Sequence, residues 1–128
     1  MDYLTLDDIL EIREQVSAAA GDRFEVMSAN GLLSALAAPR RSAFGAEAFS
    51  TLPEKAGALV YSLIQNHPFW DGNKRIATAA LRLFIARNGA TLAADQQALR
   101  VFTTTIAKGG LRDAELAQWL VDHIEVQA

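Results

Sequence analysis

Nine consecutive residues, His67-Pro68-Phe69-Trp70-Asp71-Gly72-Asn73-Lys74-Arg75, put an imidazole, a carboxylate, a carboxamide and two cations at one turn-to-helix junction. Lys74 and Arg75 fall in the first turn of a helix predicted over about 73–88. Cations are unfavourable there, because a helix N-terminus carries partial positive charge. The same turn offers backbone N–H groups with no partner inside the helix. Cations and free N–H groups meeting at one point make an anion site. A local rule broken in an otherwise consistent sequence marks function. Asp71 is suited to hold Mg²⁺ beside phosphates, and His67 to take a proton from a hydroxyl near neutral pH. Gly72 lets a ligand approach the backbone closely. Phe69, apolar in a polar turn, should anchor the loop in the core, and Trp70 is left for the surface. Each residue alone has a plain structural reading: a helix-end histidine, an Asp-Gly turn, an Asn cap, surface charge. Together they suit transfer of a phosphate-containing group from a nucleotide to a hydroxyl.

Other chemistries fail on composition and spacing. There is no cysteine, so disulfides, thiolate metal sites and thiol nucleophiles are excluded and a reducing compartment is expected. No G-x-x-x-x-G-K-[ST] or G-x-G-x-x-G occurs. The second histidine, His123, has no metal spacing to His67. The N-terminus is acidic where a signal peptide would be basic, and no apolar run approaches the ~20 residues of a bilayer span. A soluble, cytoplasmic protein without membrane contact is expected.

The elements that must position this stretch read as helices joined by short turns in one domain, 1–128. Thr5 caps a first helix with Asp8 as its partner; Leu6, Ile9, Leu10, Ile12 and Val16 form its stripe, and Gly21 ends it. A short helix over 31–38 stops at Pro39. Residues 39–51 lack helical period and read as a loop or small hairpin. Thr51-Leu52-Pro53-Glu54 opens a helix that buries Leu59, Val60, Leu63 and Ile64 and stops near His67, ahead of Pro68. The helix after the motif is apolar almost all round, which predicts a central, buried position, with Asn88-Gly89 as its C-cap. Helices over 95–107 and 113–126 follow, Asp113 capping the second and Leu116, Trp119, Leu120 and Ile124 forming its stripe.

Charge is unevenly distributed. The net charge is -3, but residues 1–30 carry seven acids and two bases, and residues 31–90 seven bases and three acids. An acidic protein with a basic middle suits a local anion site and does not suit direct nucleic-acid binding.

The motif resembles that of the Fic/Doc family, H-x-F-x-(D/E)-G-N-G-R, and departs from it at Lys74, where adenylyl-transferring members carry glycine. The Asn-Lys-Arg ending, Met27-Ser28-Ala29-Asn30-Gly31 upstream and Leu83-Phe84-Ile85-Ala86-Arg87-Asn88-Gly89 downstream resemble the Doc (death on curing) toxins. The resemblance implies an all-α fold: a helical bundle with the motif loop between two central helices and a short flap before them. It implies His67 as catalytic base, Asp71 as Mg²⁺ ligand, Gly72, Asn73, Lys74 and Arg75 as the nucleotide-phosphate site, and Phe69 as structural anchor. It also implies that the flap, matching 39–51, pairs with the target as an added strand. Lysine at position 74 goes with a reversed ATP and kinase chemistry, while Gly72 is as in adenylyl-transferring members and many Doc motifs have alanine there. Kinase is the favoured reading, with adenylyltransferase and a non-catalytic binding module as alternatives. Elongation factor Tu is the implied target. The inhibitory [ST]-x-x-x-E-[GN] pattern is absent, so inhibition in trans by a small Phd-like antitoxin is expected, seated on an exposed apolar groove.

Overall fold

A computed structural model describes residues 1–126, with Ala43 described by its backbone alone. The described residues form an all-α fold of six helices: α1 Leu6–Ala20, α2 Ala29–Ala37, α3 Leu52–Gln65, α4 Asn73–Arg87, α5 Gln96–Ala107 and α6 Asp113–His123. Two short antiparallel pairs accompany them, β1 Ser42–Ala43 with β2 Ala46–Glu47, and β3 Ala90–Leu92 with β4 Ile124–Val126. No helix among the described residues is long and apolar enough to cross a membrane.

Local chemistry starts and stops these helices where their caps direct. Thr5 and Asp8 form a reciprocal capping box at α1, and Gly21 closes it in the left-handed conformation, φ +68°. Thr51 accepts the Glu54 N–H at the start of α3, with Pro53 in its first turn. The core lies around α3 and α4, where Leu59, Val60, Leu63, Ile76, Ala77, Ala80, Leu81, Phe84 and Ile85 are all at most 1% exposed. Their packing sets the ends of α3 and α4 side by side, so the nine-residue motif spans the gap between the two central helices.

Three expectations need correction. The last helix ends at His123, and 124–126 is strand paired with 90–92, because β-branched Ile124 and Val126 find edge partners in Ala90 and Leu92. The residue that caps α6 is Arg112; Asp113 is its first helical residue, at φ +48°. Finally, α4 is not buried all round. Lys74, Arg75, Arg82 and Ala86 stay exposed along one side, so the helix presents a polar stripe as well as a packing face.

Residues 42–47 are a hairpin, turned by Phe44 (φ +54°) and Gly45 (φ +78°). This flap is held at its root by Lys55 in the first turn of α3. The ammonium is buried and donates to Tyr3 Oη (2.9 Å), the Pro39 carbonyl (3.1 Å) and Glu47 Oε1 (3.3 Å). Burial alone would depress its pKa, but the hydrogen bonds to Tyr3 and Glu47 outweigh that and raise it, so the charge stays.

Candidate active site

The motif loop is shaped by backbone pairing before any functional side chain is considered. The segment between α1 and α2 runs antiparallel to it, with Val26 opposite Phe69. The Met27 and Ser28 N–H groups donate to the Pro68 carbonyl (2.8 and 3.0 Å), and Trp70 N–H donates to the Glu25 carbonyl (2.8 Å). Phe69 is 1% exposed and plugs the loop into the core, as expected of the anchor, while Trp70 is exposed.

Asn73 organises this loop from within. Its Oδ1 accepts the Phe69 N–H (3.0 Å) and its Nδ2 donates to the Phe69 carbonyl (2.8 Å). The same Nδ2 lies 3.3 Å from His67 Nδ1. The two Phe69 bonds fix which end of the carboxamide carries hydrogens, and the 3.3 Å contact with His67 Nδ1 is a loose one whose direction follows the ring's tautomer. The amide of Asn73 is therefore used in holding the loop and orienting the imidazole, and the residue also lines the cavity that His67 opens into. His67 itself sits at φ +46° just past the end of α3, an uncommon conformation for a side-chain-bearing residue. Its ring is exposed, and Nε2 has no hydrogen-bond partner among the described residues.

Asp71 and Gly72 make the turn into α4. Asp71 Oδ1 accepts the Gly72 N–H (2.7 Å), and Oδ2 has no hydrogen-bond partner among the described residues. Gly72 is the N-cap of α4 at φ +75°, and no side chain caps this helix. The first N–H groups of α4 are thus left for a ligand. Phe24 packs flat over Gly72: a Cβ built there would lie 2.4 Å from the ring. Phe24 is held by Ser17 Oγ on its N–H (3.2 Å) and Arg13 Nε on its carbonyl (2.7 Å).

A cavity of about 530 Å³ gathers His67, Asp71, Gly72, Lys74 and Arg75, with Phe24 as one wall and Asp22 at its rim. Phe24 and Asp22 were not among the expected site residues. They come from the α1–α2 connection, and nothing in their local sequence announces a long-range approach. Lys74 and Arg75 also line a second, larger groove of about 1010 Å³, together with Arg82, Arg100 and Lys108 and without a carboxylate. The chemistry belongs to the smaller cavity, because His67 and Asp71 open into it. The larger groove beside the site sets these five bases around a largely apolar surface that includes Val16, Leu99 and Val101.

Mg²⁺ fits this cavity. One exposed carboxylate with a free oxygen, facing two cations and uncapped N–H groups, is the donor set a Mg²⁺ shared with phosphate oxygens needs. Among the described residues no cluster of three His, Cys, Asp or Glu could hold a metal by itself. The fold and site therefore define a helical domain whose motif loop opens a cavity lined by a histidine, a carboxylate and two cations. The Fic/DOC family profile matches residues 3–85, and the chain belongs to that family. A protein of Mycolicibacterium smegmatis named "Toxin Doc" is 40% identical over 94 residues, covering 73% of this chain and 70% of the relative.

Proposed function

We propose that the protein is a toxin-type kinase that transfers a phosphate from ATP to a Ser or Thr hydroxyl of a protein target, with elongation factor Tu as the favoured acceptor and arrest of translation as the result. The observation that carries this reading is Lys74, a cation in the first turn of α4 that lines the same cavity as His67 and Asp71. It supplies charge to a terminal phosphate where a glycine would supply only space. Gly72 is not a vote for adenylyl transfer, since Phe24 requires glycine there for packing reasons of its own.

In this reading the acceptor oxygen attacks the γ-phosphorus, its proton goes to the imidazole of His67, and ADP leaves. Asn73 keeps the ring in place with a single long contact. Lys74, Arg75 and the α4 N-terminus hold the phosphate oxygens, where their charge offsets what develops in transfer. Asp71 would hold Mg²⁺, which neutralises phosphate charge when bound. Control falls to a small Phd-like antitoxin acting in trans in the cytoplasm, and the cationic groove suits an acidic segment of it.

The test is elongation factor Tu incubated with the protein and ATP labelled at either the α or the γ position. Label from the γ position alone supports the kinase. Label from the α position makes it an adenylyltransferase, and no label removes this target. Asp71→Asn should weaken Mg·ATP binding by about tenfold or more in titration calorimetry with an unchanged melting temperature; equal affinity would rule the metal role out.

A further inference from the structure

We infer that Lys55 is a positioning residue for the protein acceptor: its ammonium clamps both legs of the β1–β2 hairpin and fixes the pitch at which that hairpin meets an added strand. This rests on the transfer reading above, with the hairpin as the strand the acceptor joins. Lys55 breaks two local rules at once. A cation in the first turn of α3 faces the positive end of the helix dipole. A lysine only 2% exposed also gives up the hydration of its charge. A well-packed apolar side chain of similar volume would hold a core at least as well, so the ammonium is kept for what it touches.

What it touches is the hairpin on two sides and the body on the third. Pro39 lies in the turn Ala38–Arg40 that leads into β1, and Glu47 lies on β2, so two of the bonds (3.1 and 3.3 Å) take hold of the two legs. The third, 2.9 Å to Tyr3 Oη, fastens the clamp to the body, where the Tyr3 ring stacks on Phe84 of α4 with centroids 6.2 Å apart. All the ammonium hydrogens are then used. The hairpin has little else to hold it. Its strands are two residues long, and Ser42, Phe44, Gly45, Ala46 and Glu47 are all exposed, so none of these side chains is seated in the core. Among the described residues, Glu47 to Lys55 is the one side-chain hydrogen bond from 42–47 to a helix. Strands this short do not hold a fixed pose alone. A free hairpin edge still offers the backbone groups that an added strand needs, and Phe44 is fully exposed at the tip. A hairpin that swings must be ordered when the acceptor joins it, and that cost falls on acceptor binding.

The experiment takes the purified protein that the parent enzyme labels in a host lysate with labelled ATP. Lys55→Met keeps the packing and removes the ammonium. It should raise KM for the acceptor by about tenfold, with kcat and Mg·ATP affinity within about twofold of the parent. Glu47→Ala should raise the same KM about fivefold, and Glu47→Gln, which keeps an oxygen for the ammonium, should stay within about twofold of the parent. The double variant Lys55→Met with Glu47→Ala should match Lys55→Met alone, because both remove one tie. Tyr3→Phe takes the place of Lys55→Met if that variant does not fold. It removes one ammonium acceptor on the side away from the hairpin and should raise the KM about threefold. Parent-like KM in the folded variants overturns the proposal. So do fully additive effects, which would mean that Glu47 touches the acceptor itself. A fall in kcat and Mg·ATP affinity that tracks the melting temperature also overturns it, as a purely structural role. A parent that labels no protein overturns the transfer reading, whereas labelling that persists with unchanged KM overturns the Lys55 clamp alone.

Discussion

A methyl group on residue 72 would meet the Phe24 ring at 2.4 Å while its backbone held φ at +75°. Gly72→Ala is thus expected to cost on the order of 1–3 kcal/mol in urea unfolding, and Phe24→Ala in the same chain should recover the steric part. A Gly72→Ala protein as stable as the parent would show that the Phe24 ring moves freely. Lys74 carries the chemistry more directly. Lys74→Gly should lose γ-phosphate transfer by about a hundredfold or more and can gain α-label transfer, since glycine at 74 removes the one departure from the adenylyl-transferring motif. A variant with undiminished γ transfer would remove lysine from the account. Lys74 and Arg75 were legible in the sequence because their charge conflicts with a helix N-terminus, and His67 and Asp71 because they fall within the same nine residues. The role of Asn73 was not. Its type suggests a cap or a ligand, and only the loop's return past Phe69 shows a buried amide that orients His67.

The helices were legible where their ends carry their own signals, as with Thr5, Gly21, Thr51 and Pro68. The β3–β4 pair was not, because Ile124 continues the apolar spacing of α6 and its strand partner lies 32 residues earlier, at Leu92. Nor was the Val26–Phe69 pairing, which joins two loops of irregular sequence. One long-range tie at this scale makes a testable statement. Arg87, at the end of α4, grips both oxygens of Asp8 in the first turn of α1 at 2.6 Å each. The Arg87 hydrogen bonds, helped by Thr5, hold the Asp8 carboxyl well below the usual carboxylate range. A depressed folded pKa adds stability above the unfolded value of about 3.9 and loses it as pH falls further. Asp8→Asn should therefore cost about 1 kcal/mol at pH 7, and the gap to the parent should close progressively below about pH 4. A gap that stays constant from pH 7 down to the acid transition would mean the pair contributes nothing as an ion pair.

Across the whole molecule, charge is sorted by place. The acidic first thirty residues form α1 and the strand-like segment along the motif loop, while Lys74, Arg75, Arg82, Arg100 and Lys108 converge on one groove. The segregation was visible as a sequence imbalance, but its convergence depends on α4 and α5 packing side by side. A cavity that shares Lys74 and Arg75 with a groove carrying three further bases suits an acidic partner, and such a partner should raise the melting temperature by mass action and weaken with salt. All of this serves one central claim, that His67 in this cavity moves a phosphate to a protein hydroxyl. The most direct measurement is the intact mass of elongation factor Tu after incubation with Mg·ATP and either the parent or His67→Ala. The account predicts a gain of one phosphoryl group with the parent and a rate lower by about 10²–10⁴-fold with a folded His67→Ala protein. A gain of AMP, or transfer by His67→Ala at the parent's rate, would contradict it.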